Sequence, residues 1–243
     1  MARLGGAVAL RPLRTWLARR AARRVLVIGD SHVRVFEHWW FLWALPRVRF
    51  DVIYVPGGTA TGLPNPRSAT RARTRFDEAL ARGAHDHVVL NLGEVDTGYT
   101  IWACAARDGS DPQQLLDRAV QRYTHFIADL ARHHRLIVLA APLPTLPDDF
   151  EPANDTDTTH TSTTRKALAQ PLAQRTALTL AFNDAVAQAC AALAVPHVDD
   201  RAASLGPDGT VRAAWRRRGR ADHHYARRPY ARWLAAALSP WLV

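Results

Sequence analysis

The sequence predicts a three-layer α/β/α sandwich built around a five-stranded parallel sheet. Short apolar runs recur along the chain, and most of them are followed by a longer stretch with apolar residues at helical spacing. Strands of a parallel sheet are buried on both faces and therefore form continuous apolar runs. Their alternation with helices indicates βαβ units, which place helices on both faces of one sheet.

The first half of the chain contains two predicted strand–helix pairs. Residues 25–29 (VLVIG) form an apolar run that ends in glycine, which is typical of a buried parallel strand. Residues 32–43 place apolar side chains at helical intervals and stop before Pro46, because a residue that precedes proline disfavours the helical conformation. Residues 50–55 (FDVIYV) predict the second strand, and residues 68–82 predict a basic helix.

The second half supplies the remaining strands and helices. Residues 88–92 (VVLNL) predict the third strand. Asp111 followed by Pro112 predicts a helix that continues to about residue 134, because aspartate caps helix N-termini and proline suits the first turn. The other predicted elements are a fourth strand at 136–141, a helix at 175–193, a fifth strand at 195–198 and a helix at 226–238.

Two segments fall outside this alternation. Residues 1–24 carry seven arginines, and apolar residues recur at helical spacing from Leu10 to Leu17. We expect a basic leader helix there that packs on the protein or lies on a membrane surface. Arginines interrupt the apolar core that a signal peptide needs, so a cytoplasmic location is expected. Residues 144–174 predict a long polar loop, and residues 25–243 are expected to form a single domain.

The composition excludes several classes of protein. A hydrophobic fraction of 48% is too high for a disordered polyelectrolyte, and two cysteines cannot form a disulfide scaffold. No apolar run approaches the roughly 18–20 residues of a transmembrane segment. The net charge of +10 comes from 32 basic residues, of which only Lys166 is lysine, and no nucleic-acid motif accompanies them. We expect no specific nucleic-acid partner, whereas the arginine-rich residues 216–220 favour an anionic substrate.

A candidate nucleophile stands where the first strand passes into the first helix. The tetrapeptide Gly29-Asp30-Ser31-His32 places a serine hydroxyl at the carboxyl edge of the sheet, where ligands bind in this architecture. A helix N-terminus stabilises negative charge, which suits a nucleophile whose attack creates an oxyanion. The alternative is that Ser31 is only the N-cap of the helix.

A candidate base lies just before the last helix, in Asp222-His223-His224-Tyr225. A serine nucleophile needs a general base and an acceptor that fixes the tautomer of that base. This one segment can supply both groups. The alternatives are a solvated basic turn or a metal site that uses the adjacent histidines. No second cluster with metal-ligand spacing accompanies them, so neither a metal nor a cofactor is expected.

These motifs resemble those of the SGNH or GDSL-type serine hydrolases, and the resemblance covers residues 25–238. The first block of that family matches Gly29-Asp30-Ser31, and the last block matches Asp222 and His224. The resemblance implies a flavodoxin-like fold in which Ser31 is the nucleophile, His224 is the base and Asp222 orients the base. The last block is one residue shorter than in the family, which leaves His223 as the alternative base.

The second block of the family concerns the oxyanion. Residues 56–62 (PGGTATG) match this block, in which the N–H of a glycine binds the oxyanion. The resemblance favours Gly62 for that role, with Gly57 and Gly58 as alternatives in register.

The third block, Gly93-Glu94-Val95-Asp96, departs from the family. Val95 stands where the family has an asparagine that donates to the oxyanion, and valine carries no donor. Either Asn91 or backbone N–H groups replace that donor, or the oxyanion is stabilised less. We expect Glu94 and Asp96 to line the site through a hydrogen bond to the substrate or to a loop. The alternative is that they only cap the turn.

Tryptophans near these blocks are further candidates. Trp39, Trp40 and Trp43 are expected to pack in the core or to form a hydrophobic wall near the cleft. Trp102 is placed to stack on a sugar or an aromatic substrate.

The resemblance implies a serine esterase or O-acyltransferase that acts on an acetyl-like ester of a carbohydrate or a metabolite. Water as the acceptor gives hydrolysis, and a sugar hydroxyl gives acyl transfer. The implied partner is a small-molecule or carbohydrate ester, and no cofactor is implied. The alternative is a binding or accessory protein with the same fold and a decayed site, which Val95 and the short Asp222–His224 spacing favour.

Overall fold

Five strands form one sheet in the computed structural model, which describes residues 23–149, 169–217 and 222–243. The strands are β1 (Arg23–Gly29), β2 (Val48–Tyr54), β3 (His87–Asn91), β4 (Leu136–Leu139) and β5 (His197–Val198). Their order across the sheet is β2-β1-β3-β4-β5, and every neighbouring pair is parallel. This order is flavodoxin-like. The predicted α/β/α sandwich with a five-stranded parallel sheet is therefore confirmed.

The described residues also form seven α-helices. They are α1 (Trp40–Ala44), α2 (Ala72–Ala81), α3 (Ile101–Asp108), α4 (Pro112–Ala131), α5 (Leu172–Ala192), α6 (Arg201–Ser204) and α7 (Arg227–Leu242). Shorter helical pieces are the 3-10 helices Ser31–Glu37 and Ala213–Trp215 and the π-helix Asp96–Thr100. Helices α2, α4, α5 and α7 correspond to the predicted helices at 68–82, 111–134, 175–193 and 226–238, with different ends.

The sheet is buried on both faces because successive side chains of each strand enter different helical layers. In β1, Leu26 and Ile28 belong to one buried cluster, which α2, α4 and α5 complete. Val25 and Val27 belong to the other cluster, which the 3-10 helix Ser31–Glu37, α1 and α7 complete. Full burial of such a side chain contributes about 1.5–3 kcal/mol. The packing fixes the carboxyl ends of the strands at one edge of the sheet.

The prediction of one continuous helix over residues 32–43 is wrong, because the helix is interrupted in its middle. The chain instead forms the 3-10 helix Ser31–Glu37 and then α1, because His38 between them is extended, with φ −70° and ψ 136°. After this break, Trp39 and Trp43 are exposed by 50% and 70%. The expectation that these two tryptophans pack in the core is therefore wrong.

Parts of the chain outside the sheet bear on three sequence predictions. Strand β1 begins at Arg23, so the last two residues of the predicted leader pair with Val48 and Arg49 of β2. The rest of the leader and residues 150–168 of the predicted loop lie outside the described residues. So do residues 218–221, which include most of the arginine-rich segment 216–220. None of the described helices is long and apolar enough to cross a membrane.

Candidate active site

Ser31 lies at the carboxyl end of β1, in a turn that requires the preceding glycine. A Cβ atom on Gly29 would come within 2.2 Å of the Asn91 carbonyl oxygen and 2.6 Å of the Val33 side chain. Only glycine therefore lets the ends of β1 and β3 approach this closely. Asp30 is the N-cap of the helix that follows, and its carboxylate accepts the His32 N–H at 2.9 Å. Because Asp30 performs the capping, the Ser31 hydroxyl is free for another contact.

That contact is with His224. The Ser31 Oγ atom lies 2.8 Å from His224 Nε2, and His224 Nδ1 lies 2.5 Å from Asp222 Oδ1. A carboxylate only accepts hydrogen bonds, so Nδ1 carries the proton and Nε2 offers its lone pair to the serine hydroxyl. The structure thus brings together the three residues predicted as nucleophile, base and orienting acid. This arrangement allows His224 to remove the Ser31 proton.

The short spacing between Asp222 and His224 is accommodated by a local turn. Asp222 Oδ1 accepts the main-chain N–H of His224 at 3.0 Å as well as its ring N–H, so one oxygen holds both ends of the histidine. The Thr145 hydroxyl donates to the Asp222 carbonyl at 3.1 Å, and the Tyr225 hydroxyl accepts the Leu143 N–H at 2.6 Å. These contacts join the turn to the loop that follows β4.

The charges around this turn set the protonation states of Asp222 and His224. Burial alone would raise the pKa of Asp222, but hydrogen bonds from His224 and the charge of Arg217, its ion-pair partner, lower that pKa to about 2. Burial and the charge of His32 lower the pKa of His224 to about 4, against the opposing effect of Asp222. At neutral pH Asp222 is therefore ionised and His224 is an unprotonated base.

His223, the alternative base, lies behind His224. Its ring centroid is 4.0 Å from that of His224 and 5.9 Å from that of Tyr99, and its carbonyl oxygen lies 3.4 Å from His32 Nε2. Ring nitrogens of His32, His223 and His224 lie within 4.8 Å of one another, as they would in a metal site. However, His224 and His32 already use both of their ring nitrogens. Of these three rings, only that of His223 has no hydrogen bond to another described residue.

Glu94 and Asp96 are both fully buried after β3, so neither is exposed to a substrate. The carboxylate of Asp96 accepts the N–H groups of Ala60 and Thr61 at 2.7 and 3.0 Å, which matches the predicted bond to a loop. Among the described residues, neither carboxyl oxygen of Glu94 has a hydrogen-bond partner, and Oε2 lies 3.8 Å from His32 Nδ1. Burial raises the pKa of Asp96 to about 6 and that of Glu94 to about 8.

The predicted oxyanion donors differ in their availability. The N–H of Gly62 donates to Thr59, at 3.0 Å to the hydroxyl and 3.3 Å to the carbonyl oxygen, so it is engaged in its own turn. The side-chain amide of Asn91 donates to the carbonyl oxygens of residues 139 and 140 and is engaged as well. Within the described part of the chain, the N–H groups of Ser31 and Gly57 donate to no other residue.

Trp102 does not occupy the position that the sequence predicts. It is 9% exposed, and its indole N–H donates to the Thr97 carbonyl oxygen at 2.7 Å. The ring therefore packs the π-helix Asp96–Thr100 against α3, and the expectation that it stacks on a substrate is wrong.

Comparisons with known proteins identify the fold of the chain. No protein-family model matches the sequence, and no curated protein matches it. Solved structures do match. A GDSL-like lipase from Bacteroides thetaiotaomicron VPI-5482 superposes with a TM-score of 0.53 at 13% identity, covering 96% of both chains. The chain has the SGNH hydrolase fold. An aryl esterase from M. smegmatis has the same SGNH fold, with a TM-score of 0.56 at 15% identity and coverage of 91% of this chain and 100% of its own. A carbohydrate acetylesterase family member from Sinorhizobium meliloti gives 0.53 at 13% identity, with coverage of 90% and 96%.

A small cleft opens beside the serine of this SGNH fold. Its volume is about 110 Å³, and Ser31 and His224 line it together with Arg34, Arg217 and Arg227. Arg34 and Arg227 were not predicted to line the site, although Arg227 lies two residues after the Asp222–Tyr225 block. The cleft combines a serine hydroxyl, an imidazole and the positive charge of three arginines.

Proposed function

We propose that the protein is a serine esterase or O-acyltransferase that acts on an acetyl-like ester of a carbohydrate or a metabolite. The observation that carries this proposal is the continuous hydrogen-bonded series from Ser31 Oγ through His224 to Asp222. A hydroxyl in this setting is an activated nucleophile. Small acyl esters suit the small cleft, and a carbohydrate acetylesterase is among the proteins that share the fold.

The reaction proceeds in two halves. Ser31 Oγ attacks the acyl carbonyl carbon while its proton passes to His224 Nε2, and a tetrahedral oxyanion forms. His224 then gives the proton to the leaving alcohol as the acyl–oxygen bond breaks, which leaves Ser31 acylated. In the second half, water or a sugar hydroxyl loses its proton to His224 and attacks the acyl-enzyme, and Ser31 regains the proton as the product leaves.

The oxyanion is held by backbone donors in this proposal. The Ser31 N–H lies at the start of the 3-10 helix Ser31–Glu37 and is free to donate. Gly57, in the turn after β2, supplies the second N–H, because Gly62 is engaged by Thr59. One such donor lowers the activation barrier by about 2.7–4 kcal/mol. In this proposal the two backbone N–H groups take the place of the side-chain donor that Val95 lacks.

The first prediction tests the nucleophile with a fluorophosphonate probe. The intact protein is expected to be labelled on Ser31 alone, located by mass spectrometry of the modified peptide, because His224 activates only this hydroxyl. Ser31→Ala should show no labelling. The control Ser110→Ala removes a half-buried serine, whose hydroxyl donates to Asp108 in the turn before α4, and should be labelled as fully as the parent protein. A folded parent protein that is not labelled at Ser31 would favour the binding or accessory role.

The second prediction concerns substrate charge. Because Arg34, Arg217 and Arg227 line the cleft, 4-acetoxybenzoate should be hydrolysed with a higher kcat/KM than its neutral methyl ester. Arg227→Gln should reduce kcat/KM for the anionic ester about 5- to 10-fold and leave the neutral ester nearly unchanged. Arg118→Gln, on the exposed surface of α4, is the control. Equal losses for the two esters would contradict a charge effect.

A further inference from the structure

A second aspartate–histidine pair lies beside the catalytic residues. His32 is 4% exposed, and its Nδ1 atom lies 3.1 Å from Asp30 Oδ1. Its Nε2 atom lies 3.4 Å from the carbonyl oxygen of His223. The ring centroids of His32 and His224 are 4.6 Å apart. One buried imidazole therefore connects the turn that carries Ser31 to the segment that carries His224.

The partners of this ring define its protonation. A carboxylate oxygen and a carbonyl oxygen both accept hydrogen bonds and donate none. A neutral imidazole has one N–H group and could satisfy only one of them, whereas an imidazolium has two. The carboxyl group of Glu94 lies 3.8 Å from the same Nδ1 atom. The surroundings of His32 thus fit the doubly protonated ring.

We propose that His32 is a positioning residue, an imidazolium at neutral pH that holds the His224 segment against Ser31 and keeps His224 in its unprotonated form. This inference rests on the proposed function. The positive charge of His32 disfavours protonation of the neighbouring His224 ring. The Nε2–H group of His32 donates to the carbonyl oxygen of His223, the residue directly before His224.

The charges around the two rings support this role. Burial alone would lower the pKa of His32, but Glu94 and Asp30 raise it to about 9. The charges that act on His224 are those of His32, Asp222 and Asp30. Arg217 forms an ion pair with Asp222. Burial and the charge of His32 also lower the pKa of His223, to about 3. Arg34 and Arg227, across the cleft, carry charge of the same sign.

The third prediction is a shift in the pH profile. In the parent protein kcat/KM should fall only as pH approaches about 4, where His224 takes up a proton. His32→Gln keeps a side-chain donor but removes the charge, so this acid limb should move upward by about 1–2 pH units. The measurement is kcat/KM for p-nitrophenyl acetate from pH 3.5 to 9. His125→Gln, an exposed histidine on α4, is the control and should leave the limb in place.

Two results would overturn the proposal. The first is a folded His32→Gln protein with an unchanged acid limb, since a merely structural residue would alter the rate without moving the limb. The second comes from the parent protein, by nitrogen-15 NMR of the histidine rings assigned through Ser31 and Val33. Both ring nitrogens of His32 should carry protons at pH 8, and a single protonated nitrogen contradicts the imidazolium. This second measurement holds even where His32→Gln does not fold.

Failure of this inference is distinguishable from failure of the proposed function. If the probe labels Ser31 while the acid limb of His32→Gln stays in place, the esterase proposal stands and only the role of His32 is lost. If Ser31 of the parent protein is not labelled, the proposed function itself is lost, whatever the protonation of His32.

Discussion

Replacing His224 by alanine is expected to lower kcat/KM for p-nitrophenyl acetate by about 10⁴- to 10⁶-fold. The reason is geometric: the proposed base, His224 Nε2, lies 2.8 Å from Ser31 Oγ, and without it the hydroxyl keeps its proton. Steady-state kinetics at pH 8 measure the loss, and thermal unfolding of each variant verifies that the protein remains folded.

The adjacent histidine provides the matched comparison. His223→Ala removes the same imidazole group one position earlier and keeps the carbonyl that faces His32, so the loss should be less than about tenfold. A larger loss for His223→Ala than for His224→Ala would contradict the assignment and make His223 the base.

Asp222→Asn is expected to lower kcat/KM by about 10⁴-fold. The amide has a similar shape but no charge, so it no longer stabilises the imidazolium that forms when His224 takes the serine proton. It can also present an N–H group to Nδ1, which favours the wrong tautomer of the histidine. The ion pair with Arg217 is lost as well. The measurement is kcat/KM across the pH profile, together with the rate of fluorophosphonate labelling.

An exposed aspartate in a comparable turn is the control for Asp222. Asp208 accepts the N–H and the hydroxyl of Thr210, as Asp222 accepts the N–H and the ring of His224, but no catalytic residue depends on it. Asp208→Asn should leave kcat/KM unchanged. A loss of less than about tenfold in Asp222→Asn would show that His224 is oriented without a charged acceptor.

The sheet and the positions of Ser31 and the Asp222–Tyr225 block at its edge were predictable because their signals are local. Apolar runs such as residues 25–29 require burial on both faces, and only a parallel sheet covered by helices provides it. The position of Ser31 follows from this, because the residue after a central strand lies at the edge where ligands bind. The Asp222–Tyr225 block precedes the last helix and reaches the same edge.

The parts of the site and the fold that the sequence did not predict depend on contacts between distant segments. The sequence does not reveal that Asp96 turns inward to bind the N–H groups of Ala60 and Thr61, because this pairing is decided by how the loop after β2 packs. The engagement of Gly62 by Thr59 is likewise a property of the folded loop. The extended backbone of His38, which exposes Trp39, opposes the helical spacing that the sequence displays.

The tight turn that joins Asp222 to His224 has a mechanical consequence. One carboxylate oxygen binds both the backbone and the ring of the histidine, so the orientation of the His224 ring relative to Asp222 is set within three residues of the chain. Ser31 belongs to a different segment, at the end of β1. The distance between His224 Nε2 and Ser31 Oγ therefore depends on how the turn is held against the end of β1. Because the Thr145 hydroxyl donates to the Asp222 carbonyl, a movement of the loop after β4 would change the distance between His224 and Ser31.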